Sequence, residues 1–244
     1  MSRGSASAAT MEAEPPDMRY QALPGNEYNH LGLLYMNGVF FMIQTPIKSI
    51  TFEEFLEWYP DGKGRFELRN GVIVEINPNG EHEEVTGFII RKINVEIDRL
   101  NLPYVTPSTY FVRPPQTTTG YQPDLIVLDK PALISEPLWK KSSVISQGSS
   151  VKLVVEVVST NWQDDYLVKV AEYERLGIPE YWVVDYAALG GRRFIGNPKQ
   201  PTVSIYQLVD GEYQVSQFRE GDRIISSAFG ELNLTVEQVF SSIT

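Results

Sequence analysis

Four ionisable residues stand against the pattern of their surroundings, and together they could do chemistry. Glu156 interrupts the apolar run Leu153-Val-Val-Glu-Val-Val158, where an ionised carboxylate is costly unless a cation, hydrogen bonds or a metal compensates it. Asp124 follows Pro123 at the head of Leu125-Ile-Val-Leu128, which predicts a carboxylate at the end of a strand. Glu67 lies between Phe66 and Leu68, and Lys169 stands four residues after Asp165 in a helix-patterned segment. Three carboxylates converging on one point would offer the hard oxygen ligands that Mg²⁺ or Mn²⁺ takes, with water completing the shell. A lysine beside them could orient or help deprotonate an attacking water and offset charge developing on a phosphate. The set suits metal-assisted hydrolysis of a phosphodiester.

Each of the four also has a structural explanation. Lys169 could pair with Asp165 or Glu172 along the helix surface, worth about 0.3–0.5 kcal/mol. Glu67 could face solvent from a strand, Asp124 could serve a turn, and Glu156 could sit in a buried salt bridge. Around them, His82 reads as a helix-start surface residue or a phosphate contact. Tyr173 reads as core, or as a cover for the Lys169 stem. Trp162 and Trp182 read as core, while Trp139, in a long loop, could be a stacking platform for a base. Lys140-Lys141 and Arg192-Arg193 are double-basic clusters short enough to be solvated surface.

The elements that must position these residues are well marked. Thr51-Phe-Glu-Glu54 is a capping box that opens a short helix, ended by Pro60-Asp-Gly62. Arg65 to Ile76 alternates in polarity around Asn70-Gly71, the pattern of a tight hairpin. Between Glu81 and Leu100, Val85, Phe88, Ile89, Ile93, Ile97 and Leu100 recur at helical spacing, which predicts an amphipathic helix. Strands are expected at Tyr104 to Val112, Asp124 to Leu128 and Lys152 to Val158, the last apolar on both faces and therefore central. A polar loop fills Lys130 to Ser150. A helix over Trp162 to Leu176 carries Asp164 and Asp165 in its first turn and stops at Gly177. With the strand Tyr181 to Asp185 it makes a right-handed βαβ unit. Further strands are expected at Val203 to Leu208, Tyr213 to Phe218 and Asp222 to Ile225, then a helix over Thr235 to Phe240. The fold class is α+β, one domain over residues 42–244, after an extension at 1–41 whose Ser, Ala, Pro and Gly content predicts disorder.

Composition excludes several classes. The 244 residues contain no cysteine, which removes disulfides, thiolate metal sites and thiol nucleophiles, and a reducing cytoplasm fits best. No apolar stretch approaches the roughly 18 residues that span a bilayer, and a secretory leader is not apparent. The net charge of −10 makes the average surface repel nucleic acid; removing residues 1–41, with two basic and four acidic residues, still leaves −8.

Phe66-Glu-Leu-Arg-Asn-Gly71, Gln122-Pro-Asp-Leu-Ile-Val-Leu128, Leu153-Val-Val-Glu-Val-Val-Ser159 and Lys169-Val-Ala-Glu-Tyr-Glu-Arg-Leu-Gly-Ile-Pro-Glu-Tyr-Trp-Val-Val-Asp185 resemble the Uma2-type endonucleases, over roughly residues 43–240. The resemblance implies the PD-(D/E)xK nuclease superfamily and a restriction-endonuclease-like core, a central mixed β-sheet flanked by helices. It implies Pro123-Asp124 as the PD element, Glu156 as the acid of the third motif and Glu67 as the upstream acid. The metal, Mg²⁺ or Mn²⁺, would be held by Asp124, Glu156 and Glu67. The superfamily's usual lysine stands two residues after the acid; here that position is Val158, and the resemblance points instead to Lys169 on the next helix. DNA is the implied substrate, and a homodimer would cut both strands of a duplex. Two alternatives stay open: a non-catalytic nucleic-acid-binding or assembly module on an inherited scaffold, and a nuclease for RNA or single strands. From sequence alone, Lys169→Met is expected to stop cleavage while leaving the melting temperature nearly unchanged.

Overall fold

The computed structural model describes residues 31–36, 39–44, 49–60 and 64–243. The chain divides into two compact units, Met1–Ser49 and Ile50–Thr244. In the first, strands β1 (Leu31–Met36) and β2 (Val39–Gln44) pair antiparallel. The rest of the expected 1–41 extension lies outside the described residues.

The second unit begins with α1 (Phe52–Trp58), whose Thr51 and Glu54 form the capping box reciprocally. Strands β3 (Arg65–Arg69) and β4 (Val72–Ile76) follow as a hairpin. Its turn places Asn70 and Gly71 at φ 49° and 80°, the left-handed conformation that Asn and Gly tolerate best. Helix α2 (Gly80–Arg99), capped by Asn79, buries Val85, Ile89, Ile93 and Ile97. Short strands β5 (Tyr104–Val105) and β6 (Phe111–Val112) lead to β7 (Leu125–Asp129). The long loop contains a helical turn, α3 (Trp139–Ser142), and a two-residue strand, β8 (Val144–Ile145). Then come β9 (Val151–Val157), a π-helical turn over Asp164–Val168 that continues as α4 (Lys169–Leu176), and β10 (Glu180–Asp185). A short helix α5 (Arg192–Ile195), strands β11 (Thr202–Val209) and β12 (Glu212–Phe218) and helix α6 (Val236–Phe240) complete the unit.

Six strands form one mixed sheet in the order β12-β11-β10-β9-β7-β5. Only β9 and β10 are parallel; they are joined by the helical segment. Strand β9 lies inside the sheet, which explains its apolar run. Leu153, Val155 and Val157 enter a core shared with α2 and α6. Val154 and Val158 enter a second core shared with Tyr166 and Tyr173 of the helical segment. Burying each such side chain contributes about 1.5–3 kcal/mol. By alternation Glu156 belongs to the second face, beneath the helical segment. A smaller core of Phe52, Phe55, Leu68, Phe111 and Val144 supports the β3–β4 hairpin. Gly120 bridges to Leu68 there, and a Cβ at 120 would lie 2.2 Å from the Phe52 ring.

Two expected strands differ. The segment Tyr104 to Val112 divides, β5 pairing with β7 and β6 with β8, because Pro107 supplies no N–H to a continuous ladder. Asp222 to Ile225 forms a single bridge, Arg223 to Thr235, flanked by the Ile224 N–H to the Leu234 carbonyl and the Val236 N–H to the Asp222 carbonyl, while the Arg223 guanidinium donates to the Leu232 carbonyl. No helix among the described residues is long and apolar enough to cross a membrane.

Candidate active site

The sheet register brings the acids together. Strand β7 runs antiparallel to β9 with Leu125 opposite Val155, so the next step places Asp124 opposite Glu156. Asp124 Oδ2 accepts from the Val157 N–H at 2.8 Å, extending the ladder through a side chain. His82, in the first turn of α2, puts Nε2 at 3.2 Å from the same oxygen and 3.0 Å from the Val157 carbonyl. Arg65 lies 3.6 Å from Asp124 Oδ1.

Lys169 comes from the other side of the sheet plane. Its Nζ is 2.9 Å from Glu156 Oε1, 3.2 Å from Asp165 Oδ1 and 3.8 Å from Glu67 Oε1. Tyr173, one turn on, donates its hydroxyl to Glu156 Oε1 at 3.0 Å. Widening one helical turn to the π form alters which residues face the sheet, a feature common at functional sites. Here Asp165 and Lys169 both face inward, while Asp164 binds Arg69 of β3. Position 158, two residues after Glu156, is a buried valine of the second core, and the ammonium beside Glu156 comes from the helix.

Glu67 Oε1 accepts from the Gln122 N–H at 3.0 Å, and Oε2 receives Arg69 at 2.9 Å. Glu67, Glu156 and Lys169 are 1%, 4% and 4% exposed. All four residues singled out from the sequence, with Asp165 and Arg69, line one cavity of about 270 Å³. The Asp165–Lys169 pair that offered a bland explanation of Lys169 does form, simultaneously with the Glu156 contact.

The electrostatics follow from burial and crowding. Burial pushes the Glu156 carboxyl up to about 8; Lys169 opposes the shift, and Asp124, Asp165 and Glu67 add to it. Burial likewise raises Asp165 to about 6. Burial would raise Asp124 too, but His82, the Val157 N–H and Arg65 outweigh it and hold this carboxyl below its ordinary value. Burial would lower the Lys169 ammonium, yet Glu156, Glu67 and Asp165 keep it well above its ordinary value. Lys169 is therefore a fixed positive charge, a role suited to stabilising anionic oxygen rather than to accepting a proton. Its replacement by Met would strand three carboxylates, so the near-constant melting temperature expected from sequence is corrected: breaking such a buried pair costs about 3–5 kcal/mol.

A hard divalent cation fits part of this set. Asp124 and Glu156 offer buried carboxyl groups at opposed positions of neighbouring strands, and the raised Glu156 pKa marks a carboxylate that is costly to ionise there, a cost that a bound cation would offset. Among the described residues, however, no three His, Asp or Glu groups are assembled as a cation-binding cluster. Both Glu67 oxygens are engaged by protein donors.

Sequence reasoning missed His82 as a buried neighbour of Asp124, and Asp165 and Arg69 as members of the cluster. His82 carried a signal: it precedes Val85 and Ile89 by three and seven residues, on the buried stripe of α2. Trp139 packs partly buried against the second core rather than standing out as a platform.

The sequence model of the Uma2 family, described as "Putative restriction endonuclease", matches residues 52–237. Among solved structures, one similar chain is "a putative nuclease belonging to DUF820" from Anabaena variabilis. It has 18% identity and a TM-score of 0.61, over 80% of this chain and 99% of that one. A search of curated proteins found no match.

Proposed function

The chain belongs to the Uma2 family, and we propose that it is a divalent-metal-dependent nuclease that hydrolyses DNA phosphodiester bonds. The observation that carries this is the buried Lys169 ammonium 2.9 Å from Glu156, delivered by a helix to an acid that shares its cavity with Asp124. Asp124 and Glu156 would hold Mg²⁺ or Mn²⁺, which when bound supplies Lewis-acid polarisation of the phosphate and a more acidic water. Lys169 offsets negative charge on the phosphate oxygens. Asp165 and Glu67 hold Lys169 in place, Tyr173 orients Glu156, and His82 with the Val157 N–H orients Asp124. Cutting both strands of a duplex calls for two copies related by a two-fold axis.

A second possibility, a non-catalytic module on the same scaffold, draws on one observation: the site's carboxylates already have protein partners. Two measurements separate them. A competent site gains stability on Mn²⁺ addition, by about 2.7 kcal/mol at a hundred times Kd, read as a raised melting temperature, and cleaves plasmid and single-stranded DNA. Asp124→Ala loses both gains. An unshifted melting curve with intact DNA selects the scaffold.

A further inference from the structure

A second cavity, of about 290 Å³, adjoins the first, and Gln122 and Asp124 line both. Its walls combine Arg65 with the hydroxyl-bearing residues Thr86, Thr106 and Ser108 and the apolar Ile90 and Pro107. Arg65 and the acidic Glu83 line this second cavity, and Arg65 contacts Gln122 and Asp124, which line both. Arg65 donates to the Gln122 carbonyl at 3.2 Å and lies 3.6 Å from Asp124 and 3.7 Å from Glu83. Both ion-pair distances exceed hydrogen-bond length, so the guanidinium keeps donors for another anion. The Thr86 hydroxyl is buried without a hydrogen-bond partner.

We infer that this cavity is a subsite for one nucleotide unit flanking the bond that is cut, and that the strand lying in it is unpaired. The inference rests on the proposed nuclease function and narrows its substrate class to single-stranded nucleic acid or a locally opened duplex. Arg65 meets a phosphate, the hydroxyls of Ser108 and of the unpartnered Thr86 meet sugar or base edges, and Ile90 and Pro107 meet an apolar face, while Thr106 is held by its hydrogen bond to Asn94. The volume suits one nucleotide and is too small for a paired helix. The charge agrees: a protein of net charge −10 is poorly suited to the many phosphate contacts of nonspecific duplex binding, whereas one guanidinium beside a cleft can anchor a single strand.

The test is binding, measured by fluorescence anisotropy with eight-nucleotide single-stranded DNA, single-stranded RNA and duplex DNA, in EDTA and again in Ca²⁺. Single strands are expected to bind more tightly than the duplex. Ser108→Phe, at an exposed wall position, is expected to weaken single-strand binding about tenfold by filling the cavity. Arg65→Gln is expected to lower the slope of log K against log salt by about 0.7, the loss of one phosphate contact on a single strand. The DNA and RNA arms show which sugar the subsite takes. Equal binding by both variants and wild type, equal affinity for duplex, or no binding by wild type in either buffer overturns the inference. Cleavage is read separately with Mn²⁺, so a protein that binds single strands as described but cuts none refutes the nuclease function and leaves the subsite standing.

Discussion

Two buried glutamates on neighbouring strands of one sheet, Glu156 on β9 and Glu180 on β10, solve the same problem in opposite ways. Glu180 is fully buried and surrounded by neutral donors: the Trp182 indole and Ser226 hydroxyl at 2.6 Å, and the Ser227 and Ala228 N–H groups. It clamps the segment before α6 to the sheet. Glu156 has one phenol and one ammonium, both on the same oxygen, and its cavity also holds Asp124, Asp165 and Glu67. A carboxylate kept for structure is saturated by donors that never titrate near neutrality. Glu156, which we propose serves chemistry, is left among like charges beside a single cation, at a cost that a substrate or metal would relieve.

That contrast can be broken in several places. The largest effect is expected at Lys169. Lys169→Arg keeps the charge but changes its shape and placement, and Mn²⁺-dependent cleavage should fall roughly 10²–10³-fold, the scale of losing one charge-stabilising donor. Its melting temperature should stay far closer to wild type than that of Lys169→Met, and calorimetry of the two variants checks this. Next comes Glu180→Gln, which removes the charge from five donors, the Ser227 hydroxyl being the fifth; stability should drop by about 2–4 kcal/mol, or roughly 5–15 °C for a domain of this size.

A smaller effect separates the glutamates by pH. The folded-state pKa of Glu156, about 8, lies above its ordinary 4.5. Its contribution to stability is therefore complete below about pH 4.5 and is lost as pH rises toward 8. Asp165, raised to about 6, adds a loss in the lower part of that window. Asp124 has the opposite sign, and its contribution disappears only under acid conditions below its ordinary 3.8. The metal-free protein should thus melt several degrees lower at pH 8 than at pH 5, and Glu156→Gln should flatten that slope. The smallest change is Tyr173→Phe, which removes a donor to charged Glu156. It should move the Glu156 titration further upward, followed by carboxyl NMR, with about 1 kcal/mol of stability at stake.

Much of this arrangement was legible in the sequence where local rules govern. Asn70-Gly71 demanded the turn that carries Glu67, the stripe from Val85 to Ile97 demanded α2, and the uninterrupted run around Glu156 demanded an interior strand. Misreadings fell where tertiary contacts decide. Pro107 let the chain leave one sheet for another. No residue pattern announces the π turn at Asp164–Val168, because packing against the sheet selects it over an α turn of similar local energy. Without that turn, Asp165 reads as an ordinary first-turn acid and Lys169 as its surface partner. His82 was misplaced because a polar side chain on a helix's buried stripe is meaningful only once the carboxylate it faces, 42 positions later, is known.

The central claim is that Glu156 serves chemistry and Glu180 serves structure, and the most direct test measures Mn²⁺-dependent cleavage by Glu156→Gln and Glu180→Gln side by side, normalised to folded protein. Glu156→Gln is expected to lose cleavage by at least about 10² while retaining or gaining melting temperature, and Glu180→Gln to melt earlier but cut at the wild-type rate per folded molecule. Cleavage retained by Glu156→Gln, or lost equally by both, would contradict that claim.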